Sequence, residues 1–167
     1  GPEILARNAL NVVVHASDLP RDRGFSPIVW NILEGANEIV VSAIEMGEGA
    51  DTGAILLQKI LRFEGHELND VLRESLGIVI CEMCSELLAA PAPPVGRPQL
   101  GEPTWRRRRT ADDSRLDVHR TISEQFDLLR VVDNDRYPAF FDHRGHRYVL
   151  KIENIGPTPP MKLGNKT

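Results

Sequence analysis

Residues Asn11–Trp30 read NVVVHASDLPRDRGFSPIVW, and the fold turns on how this stretch changes character at its fifth residue. Val12, Val13 and Val14 are β-branched, stiff at χ1, and suit a strand better than a helix. The residues that follow, with Ser17, Asp18, Pro20, Asp22 and Gly24 among them, are turn formers. His15 therefore stands where a strand gives way to a polar, proline-bent loop. In open α/β sheets ligands gather outside the carboxyl ends of strands, and a histidine there can exchange a proton near neutral pH. A strand-end histidine is more often a surface or capping residue, so alone it decides nothing.

A second polar loop lies downstream in Glu45–Gln58, EMGEGADTGAILLQ, again between apolar segments. Asp51 sits in its middle, hemmed by Gly47, Gly49 and Gly53. No Lys-Ser or Lys-Thr follows the last glycine, so this is not a phosphate-binding P-loop. A plain tight turn is the alternative reading of the same residues.

With both loops in view, the chain resembles the 10-formyltetrahydrofolate-dependent formyltransferase family, which includes sugar-nucleotide N-formyltransferases and methionyl-tRNA formyltransferase. The family pattern His-x-Ser-x-Leu-Pro-x-x-Arg-Gly-x-x-Pro is matched by His15, Ser17, Leu19, Pro20, Arg23, Gly24 and Pro27, and its Asp-x-Gly loop by Asp51 and Gly53. The spacing between His15 and Asp51 is that of the family without a gap. One position departs. The family carries an asparagine two residues before the histidine, on the same face of the strand, and here that residue is Val13. The nearest asparagine, Asn11, shares the face but lies about 13 Å away along an extended strand at roughly 3.3 Å per residue. Either a bulge brings Asn11 closer, or another group supplies the oxyanion contact.

The resemblance implies an α/β, Rossmann-like formyltransferase fold, of which this chain is the carboxyl-terminal part with the front strands absent, plus a small C-terminal helix and β-hairpin. Because Val12, Val13 and Val14 are continuously apolar, as a buried central strand would be, we expect a longer protein truncated just before this strand, with apolar sheet surface covered by the missing portion or by a second copy. The resemblance further implies catalytic roles for His15, Asp51 and Asn11. Backbone groups of Met46, Gly47, Glu48, Gly49 and Ala50 would help bind the pterin of 10-formyltetrahydrofolate. Ser17, Arg23 and Gly24 would contact substrate.

Composition narrows the partners. At 167 residues and 41% hydrophobic content the chain can bury one sizeable core and a small appended unit. A net charge of −4 argues against nucleic acid as partner, since such binders neutralise phosphates with excess Lys and Arg. No apolar run approaches the roughly 20 residues that span a bilayer, so no membrane partner is expected and the compartment read from the sequence is cytoplasmic.

Along the remainder, a short helix is predicted over residues 2–7, a helix over Pro27–Leu33 with Ser26 as N-cap and Pro27 at its first position, and strands over Glu38–Met46 and Ala54–Phe63. Residues 67–89 carry the strongest helical periodicity, with Leu68, Val71, Leu72, Leu76, Val79, Ile80, Met83, Leu87 and Leu88 recurring at three and four. Cys81 and Cys84, lacking a helix N-terminus or further zinc ligands, are read as packed thiols. Four prolines in residues 90–101 exclude regular structure and mark a surface linker. The division expected is a catalytic core over 1–92, a linker over 93–104, a helix and hairpin unit over 105–155, and a disordered tail over 156–167.

Arg106–Arg109 could clasp a phosphate, or form a solvated run neutralised by Asp112, Asp113 and Asp117. A short amphipathic helix is expected over Thr121–Arg130, with Ile122, Phe126 and Leu129 on one face, followed by a hairpin turning at Arg144-Gly145 with His143 and His146 beside the turn as exposed residues rather than metal ligands. The segment around Tyr137 and Phe140 resembles sugar-nucleotide N-formyltransferases, so either ring could face a nucleotide base or pack in a core. The function expected is formyl transfer from 10-formyltetrahydrofolate to the amine of a nucleotide-linked amino sugar, with no metal and a homodimer as one arrangement. Methionyl-tRNA formylation and an inactive, binding-only remnant are the alternatives.

Overall fold

The computed structural model describes residues 2–47 and 49–158; Glu48 and the tail expected to be disordered, from residue 159 on, lie outside the described residues. In chain order the elements are α1 (Pro2–Leu5), β1 (Val12–His15), β2 (Arg23–Gly24), α2 (Pro27–Leu33), β3 (Glu38–Glu45), β4 (Ile55–Arg62), α3 (Asn69–Ala89), β5 (Trp105–Arg106), α4 (Phe126–Val131), β6 (Ala139–His143) and β7 (His146–Leu150). The main sheet is three-stranded in the order β1-β3-β4, and both pairings are antiparallel. The valine run is therefore not flanked by parallel strands within the described residues: β1 forms an edge of this sheet and its residues 12–14 are half-buried. A two-residue parallel pair joins β2 to β5, and β6–β7 is a hairpin in which His143 faces His146, both exposed.

Strand alternation divides the sheet into two faces. Ile39, Val41 and Ala43 of β3 point to the helical side, where they are almost fully buried with Leu61, Ile32 of α2, Leu72 and Met83 of α3, and Val131 of α4. Leu76, Val79 and Leu87 continue the inward stripe of α3. This stripe explains a correction. Cys81 and Cys84 are exposed, not packed, because positions one and two residues away from Met83 and Val79 turn from the sheet at 100° per residue.

Other expectations also shift at element ends. Ser26 makes no side-chain cap; it takes a left-handed conformation, φ 51°, and Pro27 opens α2 without it. The helix read from residue 67 begins at Asn69, because the Glu67 carboxylate turns back to accept the backbone N–H groups of Glu64 at 2.6 Å and Gly65 at 2.9 Å. Residues 123–125 form a 3-10 turn ahead of α4, and Ile122 is exposed rather than on the inner face. Thr121 supplies that turn's cap, exchanging hydrogen bonds with Glu124.

The carboxyl-terminal unit is joined to the rest through Arg130. Its guanidinium is 1% exposed and donates to the Glu67 carbonyl oxygen at 3.3 Å and to Asp127 at 3.0 Å, with the Glu67 carboxylate 3.5 Å away. A charge so deeply buried is tolerable only with such partners. Leu116, Leu129, Val132 and Ala139 form a second small core beneath the hairpin.

Candidate active site

The face of the sheet opposite the helices carries Val13, His15, Ser42 and Gln58. Cross-strand register sets His15 beside Ser42 and Ser42 beside Gln58, a polar row across all three strands. Ser42 is fully buried; its hydroxyl donates to the Ser17 carbonyl oxygen at 2.7 Å and accepts from Gln58 Nε2 at 2.8 Å. The loop after β1 is thus pinned to the sheet one turn beyond the histidine. Ser17's own hydroxyl donates to the Arg21 carbonyl oxygen at 2.7 Å, inside the loop.

His15 is buried at the end of β1, with each ring nitrogen facing an acceptor. Nε2 donates to the Asp22 carbonyl oxygen at 2.7 Å, and Nδ1 lies 3.5 Å from Asp51 Oδ1. With Nε2 carrying the proton, Nδ1 of the neutral ring offers a lone pair directly beside a carboxylate, at a separation slightly beyond a direct hydrogen bond. An N–H or O–H entering there can give its proton to Nδ1, and the resulting imidazolium would donate on both sides.

Asp51 is brought to this place by its loop. It sits at φ 55°, and its Oδ2 accepts the Gly24 N–H at 2.9 Å. Two glycines are required by close approach. Gly24 has φ +97°, and a Cβ there would lie 2.6 Å from the Arg106 carbonyl oxygen; a Cβ on Gly53 would lie 1.6 Å from the Glu45 carbonyl oxygen. Beside Asp51 opens a cavity of about 290 Å³, lined by Val13, Ile44, Met46, Gly47, Gly49 and Ala50 among others. Four of the five residues expected to hold a pterin therefore line one cavity with Asp51. A larger cavity of about 930 Å³ lies elsewhere, against Glu67, Arg73, Asp133 and Arg136, and contains no residue of this cluster.

Asn11 is not brought to the cluster. Its side chain donates to the Leu5 carbonyl oxygen at 2.9 Å and accepts from Asn8 at 2.9 Å, and β1 runs in regular register, so no bulge draws it toward His15. The irregularity in the sheet lies instead in the β3–β4 pairing, where consecutive Ala43 and Ile44 face Leu57 and Ile55 and Leu56 of β4 is skipped. Tyr137 is exposed at a turn. Phe140 is buried under the Arg115 and Arg147 guanidinium groups, 4.8 and 4.3 Å from its ring centroid, so both belong to the hairpin unit and Phe140 is packed rather than open to a base.

Several residues that position the cluster escape a reading of the sequence. Asp22, which looks like one turn former among several, stands at φ 59° and is engaged through every polar group. Its carbonyl takes His15, its N–H donates to Thr104 Oγ1 at 2.8 Å, and its carboxylate accepts Arg106 Nε at 2.6 Å and Asn31 Nδ2 at 3.1 Å. The segment read as a linker runs back across the site. Arg97 bridges to Ile55, and β5 pairs with β2. Of the neighbouring aspartates, only Asp113 pairs with the arginine run among the described residues, and Arg106 finds its partners elsewhere in the chain. Arg106 binds Glu34 and Asp22, and hydrogen bonds to Glu34 above all hold its proton more firmly than usual. Arg107 pairs with Asp113, whose carboxyl it holds well below the usual carboxylate range. Among the described residues, no group of three or more His, Cys, Asp or Glu side chains is arranged to hold a metal ion, and no helix is long and apolar enough to cross a membrane.

Residues 1–76 match the family described as Formyl transferase. A methionyl-tRNA formyltransferase of Gluconobacter oxydans is 36% identical over 146 residues, covering 87% of this chain and 47% of that protein. Another, of Thermodesulfovibrio yellowstonii, is 32% identical over 130 residues and is covered to 42%, so the chain spans about half the length of these curated relatives. Among solved structures, the methionyl-tRNA formyltransferase of Clostridium thermocellum superposes with a TM-score of 0.75 at 28% identity, over 90% of this chain and 65% of that one. A sugar N-formyltransferase of Shewanella sp. shares the fold at TM-score 0.61 and 17% identity, over 92% of this chain and 65% of that one. The matched residues 1–76 contain both the His15 loop and the Asp51 loop, so the candidate site lies within the part of the chain that matches the Formyl transferase family.

Proposed function

We propose that the His15–Asp51 site moves a formyl group from 10-formyltetrahydrofolate to the primary amine of a nucleotide-linked amino sugar. The observation that carries the transfer chemistry is the 3.5 Å approach of His15 Nδ1 to Asp51 Oδ1 beside a glycine-walled cavity. That cavity has apolar walls in Val13 and Ile44 beside the main chain of Met46, Gly47, Gly49 and Ala50, a lining that fits a flat heteroaromatic ring with hydrogen-bonding edges. His15 takes a proton at Nδ1 from the attacking nitrogen and returns it to the departing one. Asp51 stabilises the charged ring between those events, held in place by the Gly24 N–H. Val13 supplies no donor to the developing oxyanion, and Asn11 is turned away, so this role falls to another group.

The sugar acceptor is favoured by the net charge of −4, which does not suit a polyanionic transfer RNA. The second reading, methionyl-tRNA as acceptor, is favoured by the names of the curated relatives. The test is to incubate the chain with 10-formyltetrahydrofolate and either a panel of nucleotide-linked amino sugars or methionyl-tRNA, following tetrahydrofolate release and acceptor mass. Formylation of a sugar amine alone is the expected result. Formylation of methionyl-tRNA alone would select the second acceptor, and no turnover with either would overturn the catalytic reading.

A further inference from the structure

Resting on that reading of the site, we infer that Gln99 is a positioning residue for Asp51. Its amide nitrogen donates to two carbonyl oxygens of the Asp51 loop, those of Asp51 and Gly53, both at 2.8 Å. Its amide oxygen accepts Arg23 Nη2 at 2.6 Å, from the loop that follows His15. One side chain therefore ties together the two loops that carry the reacting pair. No other amino acid of this size has both two N–H donors and an acceptor to do so. Gln99 comes from neither loop. It stands 46 to 76 residues along the chain from its partners, in the proline-bearing segment, and that segment is itself anchored on either side. Arg97 exchanges backbone hydrogen bonds with Ile55 at 2.8 and 2.9 Å, and Thr104 and Arg106 hold Asp22.

The consequence is geometric. Asp51 sits in left-handed backbone within a glycine-rich loop, a conformation that a non-glycine residue keeps only when its surroundings impose it. The two Gln99 bonds fall on the carbonyls of Asp51 itself and of the residue two further on, which sets the direction in which the carboxylate leaves the backbone. That direction gives both the 3.5 Å approach to His15 and the bond from the Gly24 N–H. Arg23, in turn, has a buried Nε without a hydrogen-bond partner among the described residues, so Gln99 supplies an acceptor to a guanidinium that is otherwise incompletely met.

The Gly24 amide reports on Asp51 directly, because its N–H donates to that carboxylate. The experiment is amide hydrogen exchange by NMR on the full chain and on Gln99→Glu and Gln99→Met, with a thermal melt of each. Gln99→Glu keeps the acceptor toward Arg23 but presents oxygen to both carbonyls; Gln99→Met removes every bond at similar volume. Exchange at Gly24 is expected to quicken at least tenfold in both variants, while amides of the Phe140–Val149 hairpin keep their wild-type rates. Where formyl transfer is measurable, kcat falls and the KM for the amine holds. Wild-type exchange at Gly24 in the folded variants would overturn the inference. So would a uniform rise across the hairpin and the site, the mark of a residue that only stabilises the fold. Because the Gly24 signal needs no turnover, an inactive wild-type chain whose Gly24 amide still responds to Gln99 would count against the catalytic reading alone.

Discussion

The two faces of the β1-β3-β4 sheet are built from alternate residues of the same strands and do different work. Toward α2, α3 and α4 the sheet presents Ile39, Val41 and Ala43, at most 1% exposed, and the stabilisation is apolar burial. On the other side it presents His15, Ser42 and Gln58, where burial costs free energy that hydrogen bonds from each of the three side chains offset. Residues one position apart thus answer to different rules. On the helical face volume matters, and on the site face the identity of donors and acceptors matters.

Four substitutions probe that contrast, from the largest expected effect to the smallest. His15→Asn keeps an uncharged side chain with a donor and an acceptor but removes the titratable base, and is expected to lower formyl-transfer turnover by about 10²- to 10⁴-fold with the thermal melt little changed. Steady-state kinetics beside circular dichroism decide this, and turnover within a few-fold of wild type would remove His15 from the chemistry. On the other face, Ile39→Ala should destabilise the chain by about 2–5 kcal/mol through lost burial and a residual cavity. Urea unfolding reads this value, and a loss under about 1 kcal/mol would mean that the helical face relaxes to fill the space.

Ser42→Ala lies between the two cases. It leaves the Ser17 carbonyl and Gln58 Nε2 each short of a buried partner, for an expected loss of about 1–3 kcal/mol. An unchanged unfolding midpoint would show that the polar row does not secure the loop. The smallest effect is expected far from both faces, at Asp142 of the hairpin. Hydrogen bonds from Arg147 first and then Arg115 hold its carboxyl down to about 2 from the ordinary 3.8. A depressed carboxyl contributes stability that is present above the unfolded value and is lost as pH falls through the folded one. Acid titration of Asp142→Asn against wild type should therefore show a slight difference near neutrality that shrinks as pH falls from about 4 and is gone well below about pH 2, and a difference of unchanged size down to about pH 1 would assign the effect to something other than this ionisation.

Much of this architecture is written locally. Three valines before a run of turn formers fix where β1 ends and place His15 there; apolar spacing of three and four marks the inward stripe of α3; Arg144-Gly145, both at positive φ, mark the hairpin turn. Local signals of that kind also put Asp51 in a glycine loop, and Gly53 follows because no Cβ fits against the Glu45 carbonyl. The exposure of Cys81 and Cys84 was less legible, since a helix that is apolar on several sides does not disclose which side meets the sheet.

Only the tertiary structure decided what holds the site together. Asp22 meets Arg106 across 84 residues, and Gln99 meets Arg23 across 76. Nothing in the residue types or spacing of these partners distinguishes them from any polar residue in a turn or a proline-rich stretch. Backbone propensity and hydrophobic period act over a few residues and so can be read along the chain. The direction of a carboxylate is set by donors that the fold delivers from elsewhere, which is why Asn11, on the correct face of the strand, lies outside the cluster, and Gln99, in a segment without regular structure, lies at its centre.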